Sequence, residues 1–366
     1  MTDSAQGFAE DLALRYQLHG FSGSSAIPNA SVAFGAAGVA YFLMRYAQVR
    51  RDATVLSSAA EWARNADALS KQLAGLAPPE GVGLTPGHGL YYHGPGVAWV
   101  RALVAVAWGD PGQATRSGLE FVQAAEDGVH PPWDVNWGAA GLLLGCAQLV
   151  RAITGPAQQR IRGVGDQLAS TLTSLAADAV NGPLEFLGAA HGWGGIAQAL
   201  LRWSAALAEA PSPGLMLLLD RLISLRRRTG HWPLRAGSRI VYRGWCHGSA
   251  GWAQLWALAW QRTGDERMLA MAEECAAHAL ADPFPGPSLC CGRAGEAFAA
   301  LTLYRATGAA HWLQDAGRTV SQAIGTVASG DGGADQLFRG ELGVALAAVE
   351  LEDPTRSAMP IFEAIG

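Results

Sequence analysis

The sequence predicts an all-α fold assembled from a repeated helical unit. A G-x-x-G step recurs at Gly35-Gly38, Gly138-Gly141, Gly192-Gly195, Gly248-Gly251, Gly292-Gly295 and Gly340-Gly343. An imperfect seventh copy, His93-Gly94-Pro95-Gly96, reads as one whose second glycine is displaced by one place. The first glycines fall 44 to 59 residues apart, a period that holds two helices and their connections. No stretch longer than four or five residues carries strand patterning.

Each glycine step opens the first helix of a unit. The runs after Gly141 (LLLGCAQLVRA), Gly195 (IAQALLRWSAALA), Gly251 (WAQLWALAWQR) and Gly295 (EAFAALTLYRA) are rich in Ala and Leu. Their polar residues sit at helical spacing and β-branched residues are few. Second helices are predicted over 157–177, 213–228 and 266–281. Turns rich in Gly, Pro and Asp separate them, as at Thr154-Gly155-Pro156 and Arg262-Thr263-Gly264-Asp265. Glycine at a helix start permits a sharp turn and close helix approach. The dipole and the unpaired first-turn N–H groups at each start are expected to favour anions, thiolates included.

Bulk properties narrow the function. The chain has 366 residues, a formal net charge of −5, 16% charged and 50% apolar residues. A weakly acidic chain has no long-range electrostatic hold on nucleic acid or anionic membrane. The triplet Arg226-Arg227-Arg228 reads as a solvated face. The start, MTDSAQGFAEDLAL, has neither the basic nor the apolar region of a signal peptide. Apolar runs such as 97–108 are broken by Arg101 and fall short of the ~20 residues of a membrane span. A cytoplasmic chain, taken as a monomer, is expected. Five cysteines without scaffold-like spacing argue against a disulfide framework.

Cysteine placement carries the chemistry. Cys246 precedes the step at Gly248, and Cys290 and Cys291 precede the step at Gly292. Three thiolates from two units can hold one zinc tetrahedrally and leave its fourth position for a substrate sulfur. The alternative is three packed core cysteines, the reading preferred for Cys146 and Cys275, which lie inside helical runs. His191, directly before Gly192, has a reference pKa suited to proton exchange. Asp134, four residues before Gly138, can orient an imidazole or form an Asx turn. Arg243 can stabilise an enolate oxygen or pair with a surface carboxylate. His93 and His247 also stand at glycine steps and are alternative zinc ligands, with His247 placed beside the metal or facing the substrate rather than on the ion. Asp134 with Glu185 as acid and base of a glycan-active toroid is a competing reading, and it leaves the cysteines idle.

With W-C-H-G-x-x-G and L-C-C-G-x-x-G added to the seven steps, the chain resembles the lanthionine synthetase C-like family from about Phe34 to Gly343. The resemblance implies a double-ring (α/α) toroid of seven helical hairpins, forming a single domain over 1–366. It implies Zn2+ held by Cys246, Cys290 and Cys291, where many members have histidine in place of the third cysteine. His191 matches the family's proton-handling histidine and Asp134 its aspartate. The family's arginine four residues before the first cysteine is replaced by Tyr242, with Arg243 displaced by one. The implied reaction is addition of a peptide cysteine thiolate to dehydroalanine or dehydrobutyrine, giving lanthionine or methyllanthionine. Partners would be a dehydrated precursor peptide and a separate dehydratase or kinase/lyase. A relative that adds glutathione, or one that only binds peptide, fits the same residues.

Overall fold

The computed structural model describes residues 3–23, 29–72, 88–127, 129–179, 185–331 and 336–363. The 1–366 span expected as one domain therefore includes segments outside the described residues. Among the described residues there are fourteen α-helices and no strand. In chain order they begin α1 (Asp3–Gly23), α2 (Ala36–Arg50), α3 (Ala53–Ser70), α4 (Gly94–Trp108), α5 (Pro111–Glu126), α6 (Ala139–Ala152) and α7 (Pro156–Ala179). They continue α8 (Trp193–Ala206), α9 (Pro213–Ser224), α10 (Ser249–Thr263), α11 (Glu266–Ala281), α12 (Arg293–Thr307), α13 (Ala310–Thr326) and α14 (Glu341–Glu350). None of them is long and apolar enough to cross a membrane. The second helix predicted over 213–228 stops at Ser224, and the one predicted over 266–281 has those bounds.

Even-numbered helices are apolar on most of their circumference because they are covered on several sides. Each packs on its even-numbered neighbours, from α2 on α4 through to α12 on α14, and α14 packs back on α2. Each also carries an odd-numbered helix on another face, α3 on α2, α5 on α4 and so on, with α1 on α14. An odd-numbered helix buries one stripe only: α5 buries Ala114, Ser117, Gly118, Phe121, Val122 and Ala125, the spacing of a single helical face. The turns between paired helices are short because the signals are adjacent. Gly109 and Gly264 end α4 and α10 in left-handed conformation, and Asp110 and Asp265 then cap the next helix.

A buried ion pair joins the last unit to the first. Arg45 of α2 donates through Nε and Nη2 to the two carboxylate oxygens of Glu350 in α14, at 2.8 and 2.9 Å. The segment after α14 crosses the same end of the bundle. There Glu363 takes Arg202 of α8 and Arg305 of α12, and Gln148 of α6 donates to the Ile361 carbonyl at 2.7 Å.

At the opposite end, the second glycine of every step lies against the backbone carbonyl six residues before it. A Cβ on Gly251 would stand 2.4 Å from the Trp245 oxygen, and one on Gly96 would stand 1.9 Å from the Leu90 oxygen. Gly96 therefore fills the second-glycine place in the imperfect unit, and it is the first glycine that has been replaced. His93 is the residue before α4, as Gly138 is before α6. This corrects the displacement read from the sequence.

First-turn N–H groups, expected to await anions, are also otherwise engaged. Ala36 donates to the Asn29 carbonyl at 2.9 Å, Ala139 to Pro132 at 3.2 Å, Trp193 to Phe186 at 3.2 Å and Arg293 to Gly286 at 3.0 Å. The loop before each of these helices curls back to satisfy the helix start itself, which removes those starts as anion sites.

Gly251→Ala should cost about 1–3 kcal/mol by forcing this contact apart. Gly163→Ala, on an open face of α7, should be neutral or stabilise by up to ~1 kcal/mol. Urea denaturation of the two variants checks both, and equal effects would show that the carbonyl contact is not what the glycine serves.

Candidate metal centre

The curled loops align equivalent residues of successive units. The residue two places before each helix's flanking residue joins a belt of backbone hydrogen bonds. Asn136 donates to Ala190 (3.0 Å), Ala190 to Cys246 (2.9 Å), Cys246 to Cys290 (3.4 Å) and Cys290 to Phe338 (2.8 Å). Phe338 then donates to Ala33 (3.3 Å) and Ala33 to Tyr91 (3.0 Å). Cys246 and Cys290, 44 residues apart in sequence, are thus direct neighbours in the belt. The next residue of each unit supplies a rim side chain, in order Phe34, Tyr92, Trp137, His191, His247, Cys291 and Arg339.

Three sulfurs meet at this rim. Cys291 Sγ lies 3.5 Å from Cys290 Sγ and 3.8 Å from Cys246 Sγ, and all three lie within 4.8 Å of one another. The separations are too long for disulfides and suit the ~3.8 Å edge of a tetrahedron whose metal–sulfur bonds are about 2.3 Å. Among the described residues no fourth His, Cys, Asp or Glu joins the cluster. The donor set fits a thiophilic divalent ion such as zinc.

Ionisation within the cluster is uneven. Hydrogen-bonding contact with Cys246 and then Cys290 pulls the Cys291 thiol far below its usual range, while contact with Cys290 and Cys291, together with burial, raises Cys246. Cys291 is therefore the sulfur that loses its proton first. Tyr242 places its hydroxyl 3.5 Å from Cys291 Sγ and meets His247 edge-on at 5.7 Å. The sequence marked position 242 only as a missing arginine, and nothing in its spacing announced a tyrosine contact with sulfur.

The histidines form the adjoining part of the rim. His191 and His247 stack at 5.2 Å. Burial, then the charge of His191, pushes His247 down to about 4, so it is neutral near neutral pH. Asp134 makes two contacts. Its Oδ1 accepts from the Trp137 N–H at 2.7 Å, forming the turn, and its Oδ2 stands 3.3 Å from His191 Nδ1. A carboxylate accepts only, so the hydrogen sits on Nδ1 and Nε2 is left to exchange a proton. Arg243 takes the other of its two expected places: it is exposed and donates to Asp282 at 2.7 Å. Glu185 is exposed opposite Arg235, while Asp134 is committed to His191, so the acid–base pair of the glycan reading gains no support. His93 lies at a tilt beside Trp137, 6.2 Å between ring centres, and stands outside the sulfur cluster. Cys146 and Cys275 are buried in α6 and α11, and burial raises both thiols.

The model of the lanthionine synthetase C-like protein family matches residues 27–364. The chain belongs to this family. A curated family relative, the Danio rerio protein named glutathione S-transferase LANCL1, is 28% identical over 203 residues, covering 49% of this chain and 46% of the relative. The chain thus spans about half the length of the curated relative it matches. Among solved structures, nisin cyclase shares the fold with a TM-score of 0.71, at 12% identity over 96% of this chain and 95% of that one.

Two outcomes test the centre. The purified protein should carry about one zinc per chain, retained in Cys275→Ala and lost in the double variant Cys290→Ala/Cys291→Ala; metal analysis after gentle reduction decides, and retention in the double variant would place the ion elsewhere. In metal-free protein, mass spectrometry after brief iodoacetamide treatment should find Cys291 modified first and Cys146 and Cys275 last. The reverse order would contradict the ionisation described for the cluster.

Proposed function

We propose that the protein is a zinc-dependent cyclase that closes lanthionine or methyllanthionine rings in a dehydrated peptide. The convergence of Cys246, Cys290 and Cys291, with no fourth His, Cys, Asp or Glu joining them among the described residues, carries this reading. These three residues would hold the ion. When bound, zinc lowers the pKa of a peptide thiol and keeps the resulting thiolate nucleophilic in an electron-rich sulfur environment.

The remaining work falls to the chain's own side chains. As sulfur bonds to the β-carbon of dehydroalanine or dehydrobutyrine, the alkene pair moves to the amide carbonyl, and a proton must reach Cα. His191 is the proposed donor through Nε2, held in its tautomer by Asp134. Neutral His247 would line the path without competing for the proton. The aromatic part of the rim, where Tyr92 lies 5.4 Å from Phe34 and 4.4 Å from Trp137, would pack the peptide and exclude water.

The packing of α14 on α2, the Arg45–Glu350 pair and the belt running from Phe338 to Ala33 support a closed double ring of seven helical hairpins as a single domain. The family further suggests a cytoplasmic monomer acting on a precursor peptide supplied by a separate dehydratase or kinase/lyase. Glutathione addition is a second reading, favoured by the name of the Danio rerio relative.

Incubation with a dehydrated, cysteine-containing peptide should convert its free thiols to thioethers, read by alkylation and mass spectrometry. His191→Asn should slow this by about 10²–10⁴-fold while keeping its zinc. Thiols remaining at the level of a no-enzyme control would sink the cyclase reading. Efficient glutathione adducts without rings would favour the second.

A further inference from the structure

Arg339 occupies the rim position of the last unit, directly after Phe338 in the belt. Cys291 holds the equivalent position in the unit before. Side chains at equivalent positions of successive units touch elsewhere on the rim, as with His191 and His247 at 5.2 Å and Phe34 and Tyr92 at 5.4 Å. The Cys290 N–H bonds to the Phe338 carbonyl at 2.8 Å, fixing the two units side by side.

The Arg339 guanidinium lies over the Phe34 ring at 5.9 Å and is exposed. Among the described residues it makes no ion pair or hydrogen bond. The carboxylate nearest in sequence, Glu341, is engaged by Arg15. Other arginines near the centre are committed: Arg243 to Asp282, Arg293 to Gln322, and Arg235 to the Phe186 face and Glu185.

We propose that Arg339 is the oxyanion-binding residue of this centre, taking the carbonyl or carboxylate oxygen of a substrate gripped through sulfur at Cys246, Cys290 and Cys291. This rests on the metal-centre reading above and assigns to Arg339 the role that the sequence offered to Arg243. A planar guanidinium held over one ring, with no other partner among the described residues, has its N–H groups free for an oxygen acceptor. In ring formation that acceptor is the amide oxygen on which negative charge develops as sulfur adds to the β-carbon.

The test uses the full chain loaded with cobalt(II) and reads thiolate-to-cobalt absorption during titration with 3-mercaptopropionate or 2-mercaptoethanol. The carboxylate of the first probe stands in for the oxyanion, and the second lacks it. Arg339→Gln should weaken mercaptopropionate binding about tenfold or more and leave mercaptoethanol within about twofold. Arg339→Lys should recover part of the loss, and Arg293→Gln should change neither probe. Equal weakening of both probes in Arg339→Gln would reduce the residue to general charge balance and overturn the proposal. So would an unchanged mercaptopropionate affinity, or a selective loss in Arg243→Gln instead. Failure to take up cobalt would remove the metal-centre reading as well, whereas uptake without discrimination removes this inference alone.

Discussion

A backbone carbonyl seated where a side chain would otherwise begin, once per unit, determines what happens at this end of the molecule. Only glycine leaves room for the Trp245 oxygen at Gly251 or the Leu90 oxygen at Gly96. With the carbonyl there, the preceding loop can return its other carbonyls to the first turn of the helix. Equivalent residues of successive units then face one another. The belt of hydrogen bonds through Ala190, Cys246, Cys290 and Phe338 follows from that equivalence. Two cysteines 44 residues apart thereby become neighbours.

Charge balance gives the centre its reactivity. Two thiolates about 4 Å apart repel by about 4 kcal/mol at an effective dielectric of 20, so the free cluster ionises at one sulfur. Cys291 is that sulfur because its contacts with Cys246 and Cys290 favour its thiolate. With a divalent cation held by Cys246, Cys290 and Cys291, all three sulfurs could ionise and the assembly would carry one net negative charge. An exposed arginine at the next rim position and a neutral, desolvated His247 are consistent with a site that must offset that charge without protonating the nucleophile.

Much of this was legible in the sequence because it depends on local rules. Glycine steps marked the seven helix starts, and cysteines in one register of adjacent units marked the sulfur cluster. The imperfect unit was misread because spacing alone cannot tell which glycine faces the carbonyl; His93 tolerates the flanking position, and Gly96 cannot be replaced. The first-turn N–H groups looked available to anions because the sequence does not show that a loop curls back upon its own helix. Arg243 attracted attention by lying near Cys246 in sequence, yet Asp282, across a turn, holds it at the surface. Arg339 lay 48 residues beyond Cys291 and gained meaning only when the rim positions were aligned in space. The Tyr242 hydroxyl contact with Cys291 had no sequence signal beyond the absence of the family's arginine.

Zinc K-edge X-ray absorption of the purified, substrate-free protein tests the sulfur centre most directly. Three sulfurs at about 2.3 Å and one lighter donor at about 2.0 Å are predicted, the lighter shell giving way to a fourth sulfur when a peptide thiol is added. Four protein-derived donors that do not change on adding thiol, or a shell with fewer than three sulfurs, would contradict it.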